Sequence, residues 1–130
     1  MESQKILILI THRDGDGDGY TRACFAFKLA VIFVNMGVDT VVYLGGAASV
    51  LAQDGRAQPV NPIDNGENIR SYIDDFILNQ GKIFVCCACY MSHCGIHDER
   101  DMKKTLIKGM ECGGIAAMAG LSLESKVFTF

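Results

Sequence analysis

Lys5-Ile6-Leu7-Ile8-Leu9-Ile10-Thr11 is a continuous apolar run near the start of the chain. A strand with one solvated face alternates polar and apolar residues. A run without alternation predicts a strand buried on both faces, as in a parallel sheet covered by helices. A Gly/Asp-rich loop follows, Asp14 to Gly19, and Thr21 to Met36 then reads as a helix closed by Gly37. Val38 to Leu44 predicts the second strand, and Ala47 to Gln53 a short helix. Asp54 to Asp64 holds both prolines and reads as loop. Asn65 is the expected N-cap of a helix with Ile69, Tyr72, Ile73, Phe76 and Ile77 at helical spacing, ended by Gly81. Lys82 to Cys87 predicts the third strand, Glu99 to Thr105 a short helix, and Lys108 to Cys112 a fourth strand. A helix over Gly114 to Leu121 and a strand over Lys126 to Phe130 complete the pattern. Such alternation predicts a single α/β domain over residues 1–130, a mainly parallel five-stranded sheet with helices on both faces.

The chain has 130 residues, enough for one domain to bury roughly two-thirds of the surface its unfolded chain exposes. Its net charge is −3 and its basic residues form no block, so no nucleic-acid footprint is expected. The Ile6–Ile10 run is too short for a secretory h-region and has no small-residue cleavage site after it. No stretch reaches the ~20 apolar residues of a membrane span. A cytoplasmic protein is expected. The hydrophobic share, 49 %, is high. Between Ala23 and Met36 only Lys28 and Asn35 are strongly polar, and a helix apolar nearly all round needs cover on every side. One side can face the sheet. The other predicts a homo-oligomer, with cover from the 45–64 segment as the intrachain alternative.

Four of the six cysteines lie between positions 86 and 94, in Phe84-Val85-Cys86-Cys87-Ala88-Cys89-Tyr90-Met91-Ser92-His93-Cys94-Gly95-Ile96-His97. Cysteines in a reducing compartment serve reactivity or metal binding more often than a disulfide frame. The cluster reads as a loop after a predicted strand, and parallel α/β sheets gather their chemistry at the carboxyl ends of strands. In a flavodoxin-type strand order, strands one and three would be neighbours, and the 14–19 loop would face the cysteine segment across a crevice. A thiol reacts as thiolate, so helix N-terminal amides, His93 or His97 are candidate helpers. Cys86-x-x-Cys89 also has the spacing for a disulfide or a mixed-disulfide relay. Cys86 on the strand and Cys24 on the first helix also suit the core, and Cys112 suits either role.

Two other patterns imitate ligand sites. Cys86, Cys89, His93 and His97 form C-x2-C-x3-H-x3-H, with residue types zinc accepts but fewer residues between the pairs than in a finger. Asp14-Gly15-Asp16-Gly17-Asp18-Gly19 copies half of an EF-hand loop, but its twelfth position is Phe25 instead of a bidentate Glu. Its glycine spacing is not the dinucleotide fingerprint, and three carboxylates repel a pyrophosphate. A solvated turn with Asp18 capping the next helix is the expected structure. His12 and Arg13 end the first strand, solvated or lining the crevice. No resident metal or cofactor is expected.

The sequence resembles the DsrE/DsrF-like family over essentially its whole length. The likeness lies in Ile6-Leu7-Ile8-Leu9-Ile10-Thr11-His12, in Arg22 before the apolar helix, and in Val41-Val42-Tyr43-Leu44-Gly45-Gly46. It continues in Phe84-Val85-Cys86 with a cysteine segment ending Gly95-Ile96, and in Leu123-Glu124-Ser125-Lys126-Val127-Phe128-Thr129-Phe130. The resemblance implies a flavodoxin-like three-layer sandwich and homo- or hetero-oligomers: dimers, trimers or hexamers. It also implies sulfur relay of the TusD-like kind, in which a cysteine after strand three carries a persulfide. The family's C…R-G spacing maps that carrier to Cys87; the C-x-x-C of small members maps it to Cys86 and Cys89. The usual Arg before the Gly is Cys94 here, with His93 as the possible substitute. The expected activity is that of a sulfur carrier or sulfurtransferase that receives sulfur from a donor protein and passes it to an acceptor thiol. Cys87, Cys89 and Cys86 would carry the chemistry, with His93, Cys94 and His12 in support. The competing reading is a non-catalytic oligomeric module whose cysteines bind a soft metal or sense oxidation.

Overall fold

The structure, a computed structural model, describes residues 4–12, 18–57 and 68–130, with side chains from residue 22 in the second stretch. Its strands are β1 (Lys5–Ile10), β2 (Asp39–Leu44), β3 (Lys82–Val85), β4 (Met110–Cys112) and β5 (Lys126–Thr129). They form one sheet in the order β4-β3-β2-β1-β5, and every pairing is parallel. The helices are α1 (Asp18–Asn35), a 3₁₀ helix (Gly46–Ala52), α2 (Ile69–Leu78), α3 (Cys87–Cys94), α4 (Glu99–Thr105) and α5 (Ile115–Leu123). This is the expected parallel α/β sandwich of five strands.

The strand order departs from the flavodoxin sequence 2-1-3-4-5. Here β2 stands between β1 and β3, and β5 flanks β1 on its other side. The ends of β1 and β3 therefore do not meet as neighbours. Tyr43 and Leu44, at the end of β2, occupy the ground between them. Most of the 14–19 loop lies outside the described residues, as do Arg13 and Asn65.

The two faces of the sheet are packed unequally. Ile6, Ile8, Ile10, Val42, Leu44, Ile83 and Val85 point to one face, where α1, the 3₁₀ helix, α2 and Tyr90 of α3 build the main core. The opposite face holds a small cluster of Leu7, Val41, Tyr43 and Cys86, bordered by half-buried Leu9, Phe84, Cys89, Met118 and Leu121. Of the described helices, α5 lies against that side with Met118 and Leu121 and α3 adds Cys89; none of the residues of α5 is buried.

The cover predicted for α1 is largely intrachain. Ala23, Cys24, Ala26, Phe27 and Ala30 are fully buried, while Phe25, Ile32 and Met36 stay exposed. The more exposed apolar helix is α5, Ile-Ala-Ala-Met-Ala-Gly-Leu-Ser-Leu, with Leu123 90 % accessible. For α2, the observed cap is Asn68. Its side chain accepts from the Ser71 amide at 3.0 Å, and Ser71 Oγ accepts from the Asn68 amide at 3.2 Å. A reciprocal cap of this kind satisfies two of the orphan amides at a helix start.

Candidate functional site

The third strand is shorter than the sequence reading predicts. It stops at Val85, Cys86 takes the N-cap position, and Cys87–Cys94 is helix α3 where a loop is expected. The physical reason lies in the segment itself. From Cys87 to Cys94 there is no Gly or Pro, and Ala88 and Met91 favour helix. Gly95 then ends the helix in the left-handed region, φ +67°, where glycine alone carries no Cβ penalty. Its successor closes the turn, the Ile96 amide donating to Met91 O at 2.9 Å.

This short strand-to-helix joint decides where each sulfur points. The Cys86 amide still donates to Leu44 O at 2.9 Å, so the residue is held to the end of β2. Its side chain turns to the thinly covered face and is 7 % exposed, against Tyr43 and Cys89. Burial pushes the Cys86 thiol up, but the Cys89 thiol and amide, the Tyr43 hydroxyl and the Ala88 amide outweigh it. The net shift is downward. The sulfur makes no formal capping hydrogen bond, so the amides act on it as the positive end of α3. Cys89 shifts upward, first because its thiol donates to Cys86 and second because of burial, with the Gly46 amide opposing. Burial and the adjacent Cys86 charge push the Tyr43 hydroxyl up to about 12. The groups thus divide their roles: of the two thiols Cys86 ionises the more readily and Cys89 keeps its proton and donates, while the Tyr43 hydroxyl stays protonated beside them with its proton on Gly113 O.

Cys87 points away from that pair and is joined to Cys112 in a disulfide, with Cα atoms 5.5 Å apart. The pairing follows from register. Cys112 lies opposite Val85 in the last pair of the β3–β4 ladder, where the chain turns out of the sheet. The Gly113 amide donates to Val85 O at 2.9 Å, and Gly113 O accepts from the Tyr43 hydroxyl at 2.8 Å. A Cβ at Gly113 would lie 3.2 Å from the Phe84 Cβ, so the backbone runs close against β3 here. Cys86, Cys87 and Cys112 together line one open hollow of ≈ 390 Å³, with Ala88, Gly113, Gly114 and Ile115.

The remaining candidates lie elsewhere. His93 is exposed in the last turn of α3, about 9 Å along the helix axis from Cys87 at 1.5 Å per residue. His97 is exposed beyond Gly95. Cys94 is half-buried against the main core, its sulfur 3.9 Å from Gln53 Oε1. His12 is exposed beside Thr11. Cys24 is fully buried in the main core. Among the described residues, no three His, Cys, Asp or Glu side chains converge as a metal-ligand set. The structure also brings to the site groups that the sequence reading did not place there: Tyr43, Gly46 and Gly113. Tyr43 carries the one legible signal, a polar-tipped residue at the end of a buried strand just before Gly45-Gly46.

A parallel α/β sandwich with clustered thiols at the end of β3 defines a class of small cysteine-bearing α/β proteins. Residues 4–130 match the DsrE/DsrF-like family, and the chain belongs to it. It is also similar to the crystal structure of the ychN protein from E. coli. That similarity has a TM-score of 0.74 at 22 % identity and covers 98 % of this chain and 99 % of the other. A conserved protein of unknown function, BT1422 from Bacteroides thetaiotaomicron, superposes with a TM-score of 0.59 at 17 % identity. The match covers 98 % of this chain and 95 % of that one. Both likenesses establish the fold. No curated protein matches the chain. Among the described residues, no helix is long and apolar enough to cross a membrane.

Proposed function

We propose that the protein is a sulfur carrier that takes sulfane sulfur on Cys86 as a persulfide and passes it to an acceptor thiol. Family membership supports sulfur relay as the general role. The observation that carries the residue assignment is the environment of Cys86. Its thiol is shifted downward at the N-terminal end of α3, with a second thiol, Cys89, donating to it. A thiolate attacks sulfane sulfur directly and needs no carboxylate base. The same donors stabilise the anionic persulfide once it forms. Cys89 is half-buried beside it, placed to receive sulfur on the way to a partner. Cys87, the other mapped carrier, has its sulfur engaged with Cys112 in this state. Thiol chemistry of this kind suits the reducing cytoplasm.

The carrier works as a homo-oligomer in this reading. The apolar residues exposed along α5, over the thin face of the sheet, are the surface that favours association.

The test uses protein with the Cys87–Cys112 bond intact. After incubation with inorganic polysulfide and removal of the excess, intact-protein mass should show one added sulfur, removable by a reductant. Cys86→Ser should abolish the addition and Cys89→Ser should slow it. Uptake by Cys86→Ser at the parent's rate would sink the assignment.

A further inference from the structure

Cys87 and Cys112 are a bonded pair that lines the same hollow as Cys86. Three cysteines lining one cavity are more than the carriage of one sulfur atom needs. Cys112 is exposed and Cys87 half-buried, so the pair is open to exchange with thiols in solution, unlike a core disulfide. The pair is also held in place when reduced. The β3–β4 register, the Gly113 amide bond to Val85 and the Tyr43 bond to Gly113 fix Cys112 independently of the S–S link. Two thiols held this close close to a disulfide with little chain entropy to lose.

We propose that reduced Cys87 and Cys112 form a two-electron pair that discharges the Cys86 persulfide as hydrosulfide, giving the protein a sulfane-sulfur reductase activity. The inference rests on the carrier role of Cys86. In the first step the Cys112 thiolate attacks the outer sulfur of the persulfide. The persulfide S–S bond breaks and Cys86 leaves as thiolate, so Cys112 carries the sulfur. In the second step the Cys87 thiolate attacks Cys112 Sγ, and the outer sulfur leaves as hydrosulfide with one proton. The Cys87–Cys112 bond remains, as observed. Each of the two thiol sulfurs gives up one electron, and the sulfane sulfur gains both on becoming sulfide. An external dithiol, itself oxidised to a disulfide, returns the pair to the reduced state by exchange. The pair thereby selects the outcome at Cys86. Oxidised, it leaves the persulfide available for relay; reduced, it releases the sulfur as sulfide.

The experiment compares parent, Cys112→Ser, Cys87→Ser and Cys86→Ser, each fully reduced, freed of reductant without oxygen, and treated with inorganic polysulfide supplying no more than one transferable sulfur per chain, so that a linked protein is not loaded again. Small molecules are removed, retained sulfur is read by intact mass, and the Cys87–Cys112 link by peptide mapping. The reduced parent should form the link and retain no added sulfur. Cys112→Ser and Cys87→Ser should hold the added sulfur, with release slowed roughly tenfold or more. Cys86→Ser should leave the pair reduced. Three results overturn the inference alone: added sulfur that stays on the reduced parent, release by Cys112→Ser at the parent's rate, or full link formation in Cys86→Ser. Failure of every protein, the oxidised parent included, to take up sulfur overturns the carrier reading and this inference with it.

Discussion

The Tyr43 hydroxyl donates a 2.8 Å hydrogen bond to the carbonyl oxygen of Gly113, seventy positions away in the chain. The bond runs under β3, from the end of β2 to the turn after β4, and it places Tyr43 against the Cys86 sulfur. A side chain on one strand thus packs against the Cys86 thiol and holds the backbone beside Cys112.

Tyr43→Phe should therefore act on stability and on reactivity together. Removing the hydroxyl leaves the buried Gly113 carbonyl without its donor, a loss of about 1–2 kcal/mol in denaturant unfolding. It also removes one of the groups that lower the Cys86 thiol. The pH profile of Cys86 alkylation should shift to higher pH than in the parent. An unchanged profile would separate Tyr43 from the thiol.

Alkaline conditions should weaken the fold through the same residue. Tyr43 is raised to about 12 from 10.0, so the native state holds its proton more tightly than the unfolded chain does. A raised folded value contributes stability that is complete below the unfolded value and disappears as pH rises through the folded one. Tyr90 is shifted in the same direction by burial. Cys86 works with the opposite sign: its lowered value contributes stability at pH above the unfolded thiol value. Denaturant midpoints measured from pH 9 to 12 should fall above about pH 10, and fall less steeply in Tyr43→Phe. A flat profile in the parent would contradict the burial of these hydroxyls.

Gly81→Ala should be costly, for a reason of space. A Cβ at position 81 would collide with the ring of Phe76, which is fully buried in the main core. Phe76 has no room to retreat among α2 and the sheet. Overpacking of this kind typically costs about 1–3 kcal/mol. Thermal unfolding of the variant against the parent measures it, and a shift within error would mean that the α2–β3 connection moves freely.

The exposed face of α5 should be an interface between copies. Ile115 and Leu123 are 68 % and 90 % accessible on a helix with no charged residue. Light scattering should give a mass at least twice the 14.1 kDa of one chain, and Leu123→Glu should lower it by placing a charge in the contact. A monomeric parent would end the argument for this surface.

Much of the architecture was legible because each element announced itself locally. The unalternating runs at Ile6–Ile10 and Val41–Leu44 signalled a sheet buried on two sides, and Gly37 and Gly81 marked where helices had given way. The residues 99–105 were read as helix with the boundaries observed. The cysteine segment was misread as loop because its brevity concealed a two-turn helix. The informative residue was Gly95, which closes that helix in the left-handed region.

The amino-acid sequence by itself determined the α/β class, the family resemblance and the location of the cysteine cluster at the end of the third strand. Those properties depend on periodicity and on neighbours in the chain. Tertiary structure alone decided how the sulfurs divide. The insertion of β2 between β1 and β3 brings Tyr43 to Cys86, and the β3–β4 register brings Cys112 to Cys87 across 25 positions. Strand order and register are set by the packing of whole faces, so no local pattern states them. Cys86 and Cys87, adjacent in sequence, consequently face different partners: one a thiol and a hydroxyl, the other a disulfide.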